Sequence, residues 1–407
     1  MKILMASEDL PGERVGGLGK HVVTLANALL SLGHEVAILG RNDGDSGAAG
    51  APDPAAQVGF GGRFIPAFEL RHLGWKELQM GVFNPYKRPW FARKIGRAIA
   101  RHAAGFDVVH YHGHLPMAGL YLDPALNFVQ TRHDQGSECV THLRFRDGAA
   151  CARLDARDCA GCIHAAPGPL RRQVSAHAVL RYRAQAASAF ARHKTIFVSD
   201  FLRRQFLRQL PAADLSRCRV IHNFIQYPLL AKLAAHRQVQ AGQVLLAGRI
   251  DAGKGFGDFL AAARARLPPA AKVKVVGDGP ERAALERDFA GAQVAFLGWQ
   301  PYPEVIGLTA GSHVCVVPSV LEEPCATTVL EALALGRACI AMARGGNREL
   351  AAYQQYDGQL QLATSMTEMV AMLNAALARP PVTPVLPATS PLDVFHAVPK
   401  ILDCYRD

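Results

Sequence analysis

The sequence predicts an α/β protein with two separate parallel sheets, each flanked by helices, and two observations carry that expectation. Short apolar runs of strand length alternate with amphipathic helical stretches along most of the 407 residues, the pattern of strands joined by crossover helices. These runs also fall into two sets, at 2–7, 35–40, 107–113, 127–133, 194–199 and 219–223, then at 243–249, 272–277, 294–298, 313–319 and 338–343. Residues 226–241 between them carry a Pro and a helical patch but no strand, so the domain boundary is expected there. The reading gives a first domain at 1–230, with a cysteine-rich insertion at 134–168, and a second at 231–385. A segment at 386–407 follows the Pro-rich connector 380–391, resumes helical spacing at 393–405 and is expected to cross back to the first domain. Residues 44–61, rich in Gly, Ala and Pro, are expected to form a mobile loop.

Composition narrows the function classes. With 50% apolar and 19% charged residues the chain belongs with folded globular proteins, and its length excludes a disulfide-stapled miniature scaffold. No apolar run approaches the roughly 18–20 residues of a membrane helix. The opening Met1 to Ser7 turns polar at Glu8 and Asp9, which fits a short buried strand and not a secretory leader. With nine cysteines in a chain read this way, a cytoplasmic, reducing location is expected. The net charge of +11 is uneven: residues 1–230 hold 29 basic against 18 acidic residues, residues 231–407 hold 16 of each. The first half is therefore expected to meet something anionic, with solvated surface arginines as the competing account. In 87–101, Lys94, Arg97 and Arg101 share one helical side and Phe91, Ile95 and Ile99 another, a pattern that fits docking on an anionic membrane or packing against a sheet.

Glycines mark the first candidate site. Gly16-Gly17-Leu18-Gly19 precedes the helical run Val22, Leu25, Ala26, Leu29, Leu30, and glycines at a strand-to-helix turn let backbone amides approach a phosphate. Gly17-x-Gly19-x-x-Val22 is one residue short of the dinucleotide fingerprint, and nine residues between Ser7 and Gly17 are too many for its tight turn. The sharper constellation is the stretch from Ser319 to Glu331. There a strand end, a loop carrying Glu323, and a helix expected from about 326–328 set two carboxylates eight positions apart around exposed helix amides. Such amides suit a diphosphate and the carboxylates suit hydroxyl groups beside it, with Glu331 expected two turns into the helix.

With these motifs in order, the sequence resembles the retaining GT-B glycosyltransferases of family four. Beyond Glu323-Pro324 and Glu331, the resemblance rests on Leu335-Gly336-Arg337-Ala338, Gly345-Gly346-Asn347-Arg348-Glu349, Gly248-Arg249-Ile250, Lys254-Gly255 and Val276-Gly277-Asp278-Gly279-Pro280. In the first half it adds Gly16-Gly17, Gly33-His34-Glu35-Val36, the His133 turn and Val220-Ile221-His222-Asn223. It implies two Rossmann-like β/α/β domains facing a central cleft, and a nucleotide diphosphate sugar, UDP- or GDP-linked, held mainly by the second. By position, Arg249 and Lys254 match the cations on the diphosphate, and a guanidinium and an ammonium beside a Gly-rich strand end suit phosphate oxygens. Glu331 matches the acceptor of the ribose hydroxyls, Glu323 the residue on the donor sugar, and the amides of Ala326, Thr327 and Thr328 the phosphate and sugar contacts. Cys325-Ala326 stands where the family usually has Phe-Gly. His133 falls where the family has a His close to the transferred sugar. His110, His112 and His114 alternate along the preceding strand, which puts them on one face with acceptor contact in view. The retaining chemistry implied needs no protein nucleophile and no divalent metal.

Cys139, Cys151, Cys159 and Cys162 form C-x11-C-x7-C-x2-C within a polar Arg/Asp-rich insertion. Four thiols so clustered in a reducing compartment read as a structural Zn²⁺ site, with two disulfides, four free thiols or an iron–sulfur cluster as alternatives. The expectation is a glycosyltransferase acting in bacterial polysaccharide, lipopolysaccharide or glycoconjugate synthesis. Its hydroxyl acceptor would be lipid-linked or anionic, met at the inner face of the membrane, with no nucleic acid partner. Transfer to a small natural product, or a non-catalytic nucleotide- or nucleic-acid-binding protein with a zinc module, are the alternatives.

Overall fold

The computed structural model describes residues 1–10, 16–42, 53–68, 84–383 and 385–406. Contacts divide the chain into two compact units: Met1–Arg144, Cys151–Asn223 and Val394–Asp407 make one, Phe145–Ala150 and Phe224–Asp393 the other. The terminal helix Val394–Arg406 belongs to the first unit. Its Tyr405 hydroxyl bonds His110 Nδ1 at 2.7 Å, and its Tyr405 carbonyl accepts from Asn127 Nδ2 at 2.7 Å.

The first sheet contains β1 (Lys2–Ala6), β2 (Glu35–Arg41), β3 (Arg63–Phe68), β4 (Val108–His112) and β5 (Phe128–Arg132). A separate antiparallel hairpin, β6 (Phe145–Arg146) and β7 (Ala149–Ala150), precedes its last two strands, β8 (Lys194–Phe197) and β9 (Cys218–Val220). The order is β3-β2-β1-β4-β5-β8-β9, every pairing parallel. Every residue of β4 and β5 is buried, as expected of central strands covered on both faces. Helix Arg88–His102 lays Phe91, Ile95 and Ile99 into the core with Val109, Tyr111 and Phe128. Of the two uses that the apolar stripe fitted, a membrane face or packing on a sheet, the structure shows packing, because a sheet face must be covered by apolar side chains.

The second sheet contains β10 (Gln240–Ala247), β11 (Lys272–Val276), β12 (Val294–Gly298), β13 (Ser312–Val317), β14 (Ala338–Met342) and β15 (Leu360–Ala363), ordered β12-β11-β10-β13-β14-β15 and wholly parallel. Its core joins Val244, Leu246, Phe259, Val275, Val316 and Leu373. In each unit the strand order reverses beside one central strand, between β1 and β4 and between β10 and β13. The loops leaving the carboxyl ends of those strands diverge there and leave room for a ligand.

Four features depart from the sequence reading. β3 and β15 were not expected; both are short edge strands, and in β3 the internal Pro66, which cannot donate to a ladder, breaks the strand signal of its apolar run. Of the loop expected at 44–61, residues 43–52 lie outside the described residues, while Pro54–Val58 is a short helix. Asp53 caps that helix and a left-handed Gly59 ends it. Helix Thr327–Ala334 begins where expected, but at 3.6 residues per turn that start puts Glu331 one turn in, not two.

Candidate functional site

In the second unit the loops after β10 and β13 are locked together by backbone. The Gly253 carbonyl accepts from the amides of Val320 and Leu321 at 3.0 and 3.1 Å. Asp251 caps the short turn Ala252–Lys254, its Oδ1 accepting from the Lys254 amide at 3.1 Å, and its Oδ2 pairs with Arg249 Nε. One carboxylate thereby orients both candidate cations. Lys254 Nζ donates to Glu323 Oε1 at 2.6 Å, and the same oxygen accepts from Ser319 Oγ at 2.5 Å. Glu323 is 5% exposed. Burial alone would raise its carboxyl, but the Lys254 ammonium, the Ser319 hydroxyl and Arg249 outweigh this and hold it below the ordinary carboxylate range.

The Gly345-Gly346 turn braces that loop from the far side. The Gly346 amide donates to the Glu323 carbonyl at 2.7 Å and the Gly345 amide to Glu322 Oε2 at 2.5 Å. Gly345 has φ +56°, and a Cβ there would stand 2.1 Å from the Glu323 carbonyl oxygen, so only glycine fits. Helix Thr327–Ala334 follows with Ala326 at its N-cap and no side-chain cap bond. Its first amides, those of Ala326, Thr327 and Thr328 among them, have no acceptor within the helix itself and suit an anion. Buried Glu331 accepts from the Tyr302 hydroxyl; burial and then Glu331 raise that phenol. Arg249, Lys254 and Glu323 thus meet in one cluster, with Glu331 on the helix beginning next to it. Sequence reasoning missed Asp251, Ser319 and Tyr302; the spacing Asp251-x-x-Lys254, a capping pattern, was the available signal for the first.

In the first unit the candidate residues gather where β1, β4 and β5 end. His133 follows β5, and its Nε2 lies 3.2 Å from His112 Nδ1; the His21 ring centroid lies 4.6 Å from that of His133. Burial lowers all three rings, His21 to about 3, so they are uncharged at neutral pH. His114 behaves oppositely. Burial would lower it, but Nδ1 bonds Asp134 Oδ2 at 2.6 Å and Nε2 meets Asp9 Oδ1 at 3.3 Å, and these raise it well above the usual imidazole range. The three alternating histidines therefore do not act alike. His110 is fully buried between Thr131 Oγ1 and the Tyr405 hydroxyl, which removes it from acceptor contact, and His114 lies beyond the strand in an ion-pair network. Gly16 is the N-cap of helix Gly17–Ser31, and a Cβ at either Gly16 or Gly17 would meet no described atom within 4 Å.

The insertion is tied down by buried cations. Arg88, fully buried, donates to the carbonyls of Gly136, Cys139 and Val140 at 2.7–2.9 Å. Arg183 bonds the Glu138 carbonyl at 2.8 Å and Cys159 Sγ at 3.6 Å. Burial pushes the Cys159 thiol up to about 11 against the lowering effect of Arg183, and Cys139, Cys162 and Cys151 each add a smaller rise. None of the nine cysteines is in a disulfide. Sets of metal-ligand type whose donor atoms lie within 4.8 Å of one another are, among the described residues, His21/His112/His133 and His114/Asp134/His142; the four cysteines are not such a set.

Comparison with known proteins agrees with this architecture. A family model described as Glycosyltransferase Family 4 matches residues 15–227, and one described as Glycosyl transferases group 1 matches residues 241–378. A glycogen synthase of Mycobacterium tuberculosis is 26% identical over 361 residues, spanning 85% of this chain and 79% of its own length. Among solved structures, HepE of Anabaena in complex with UDP-glucose is 15% identical with a TM-score of 0.61, covering 99% of this chain and 98% of that one. WaaG, a glycosyltransferase involved in lipopolysaccharide biosynthesis, is 17% identical with a TM-score of 0.56 over 93% and 90% of the two chains. These likenesses show a GT-B fold of two Rossmann-like domains. No helix among the described residues is long and apolar enough to cross a membrane.

The buried pair yields a stability prediction. Because the Glu323 pKa is depressed in the fold, its contribution is present at neutral pH and lost as pH falls through that lowered value. Lys254→Met should leave the carboxylate with too few donors and destabilise the protein by about 1–3 kcal/mol at pH 7. The loss should narrow as pH falls into the carboxyl range, where the unpaired Glu323 takes up a proton. Thermal melts of both proteins from pH 7 to pH 4 would test this; a pH-independent difference would refute it.

Proposed function

Since the chain belongs to Glycosyltransferase Family 4, we propose that it is a retaining enzyme moving a sugar from a UDP- or GDP-linked donor to a hydroxyl acceptor. The observation that carries this is the cluster in which Glu323 is joined to Lys254 and Ser319 beside the open N-terminus of helix Thr327–Ala334, with Arg249 oriented by the same Asp251 that positions Lys254. Arg249, Lys254 and the helix amides hold the diphosphate. Glu331 accepts from the ribose hydroxyls, and Glu323 accepts from a hydroxyl of the donor sugar. On departure the diphosphate takes the acceptor's proton, and the same cations and amides stabilise the charge that develops, so this step asks for no protein nucleophile and no divalent metal. His133, uncharged, offers a hydrogen bond to a sugar hydroxyl. Glycosyltransferase relatives with polymeric and lipopolysaccharide products support a carbohydrate or glycoconjugate acceptor. The reading puts the reaction in the cytoplasm.

Lys254→Ala and Arg249→Ala should each lower turnover more than ten-fold at saturating donor, and the product should keep the donor's anomeric configuration by NMR. Wild-type turnover in both variants, or an inverted product, would sink the proposal.

We assign to Cys139, Cys151, Cys159 and Cys162 one structural Zn²⁺. Four free thiols gathered about Cys159 in a segment otherwise held by hydrogen bonds to Arg88 and Arg183 support it, and zinc would require them drawn to ligating distance as thiolates. Metal analysis of protein purified without chelator should find about one tightly held zinc per chain; four titratable thiols and no metal would refute it.

The acceptor is proposed to be anionic or carried on an anionic bilayer. With Phe91, Ile95 and Ile99 buried, what remains to support this is the charge of the first half and the groove around exposed Trp90, where Arg93, Lys94, Arg97 and Arg101 line one wall. Binding to anionic vesicles should exceed that to neutral ones at low salt and fade as salt rises, as expected when each basic residue adds up to about 1 kcal/mol. Equal co-sedimentation with both vesicle types would leave a soluble acceptor as the answer.

A further inference from the structure

We infer that His21, His112 and His133 form a metal site of their own, which takes a borderline divalent transition cation such as Zn²⁺, Co²⁺ or Ni²⁺ and, when filled, blocks turnover by occupying His133. The blocking clause rests on the role proposed above for His133; the site itself does not. The three imidazoles come from three elements, the first turns of helix Gly17–Ser31, the last residue of β4 and the residue after β5, and each offers a nitrogen within 4.8 Å of the others. His112 Nδ1 and His133 Nε2 are already 3.2 Å apart, close to the spacing of about 3.3 Å that tetrahedral ligands at a Zn–N distance of about 2.0–2.1 Å require. His112 is fully buried, so a cation held on its Nδ1 would be shielded from bulk water on that side. The His110 ring packs 4.0 Å from that of His112 and is itself held by Thr131 and Tyr405, a rigid support behind the ligand. His133 is only half-buried, which leaves one side of the cluster reachable.

An all-imidazole set favours these cations over Mg²⁺ or Ca²⁺, which want oxygen ligands. The neighbouring His114/Asp134/His142 set is the weaker candidate, because its atoms are committed. Asp134 holds Arg132 and the Gly136 amide, His114 holds Asp9, and His142 Nε2 faces Arg88 at 3.0 Å. A metal there would have to break those charge-assisted bonds.

Cobalt separates this site from the cysteine cluster, since thiolate ligands give an intense near-ultraviolet charge-transfer band and imidazoles give only weak visible bands. Titrating Co²⁺ into full-length Cys159→Ser/Cys162→Ser protein should reveal one equivalent with the imidazole signature alone. His133→Ala, and separately His21→Asn, with folding confirmed by circular dichroism, should lose that equivalent or bind it more than ten-fold more weakly. Added Zn²⁺ or Ni²⁺ should lower turnover of the wild type reversibly, with recovery on chelation. No imidazole-type cobalt spectrum, or the same spectrum in both histidine variants, overturns the site whether or not the chain transfers sugar. A filled site with full turnover overturns the blocking role.

Discussion

One buried carboxylate organises the second unit. Glu323 is nearly inaccessible to water, yet it stays ionised because a lysine ammonium and a serine hydroxyl reach the same oxygen. That arrangement demands that the loops after β10 and β13 be held in register, which the Gly253 carbonyl does from one side and the Gly345-Gly346 amides from the other. The glycines of this unit follow from the same demand. At Gly277, φ +137°, an added Cβ would sit 1.8 Å from the Gly248 carbonyl oxygen, so the loops ending β10 and β11 can touch backbone to backbone only without a side chain. Leaving a buried charge half-satisfied is costly, and the surrounding loops are built to avoid it.

In the first unit, histidines separate into two electrostatic classes within a few ångströms. His21, His112 and His133 are buried against one another's rings and stay neutral, while His114 lies between Asp9 and Asp134 and is held charged. Asp134 sits at the seam, because the same residue that follows His133 also ties His114 and Arg132 and reaches His142 of the insertion at 3.4 Å. The insertion is therefore not an appendage. Its path is set by Arg88 and Arg183, and it contributes a ligand to the network adjoining His133. His142 and Arg144 adopt left-handed backbone at φ +63° and +45°, strain that a segment held by so many buried bonds can sustain.

What the sequence determined was the alternation of apolar runs and helices, and with it two parallel sheets, because strands buried on both faces must be continuously apolar and so are visible without a structure. Its ordered motifs also pointed to the family and singled out Arg249, Lys254 and Glu323, which folding brings together, with Glu331 on the helix that follows. What only the tertiary structure decided depended on partners distant in sequence. The edge strands β3 and β15 exist through pairing, not through their own pattern. The fate of Phe91, Ile95 and Ile99 turned on whether a sheet face needed covering, which an amphipathic stripe cannot announce. His110, His112 and His114 look equivalent by alternation, but burial keeps His110 neutral against Tyr405, 295 positions away, while Asp134 and Asp9, 105 positions away, raise His114. A side chain's ionisation is set by what folding brings beside it, and that is the one property a linear spacing does not contain.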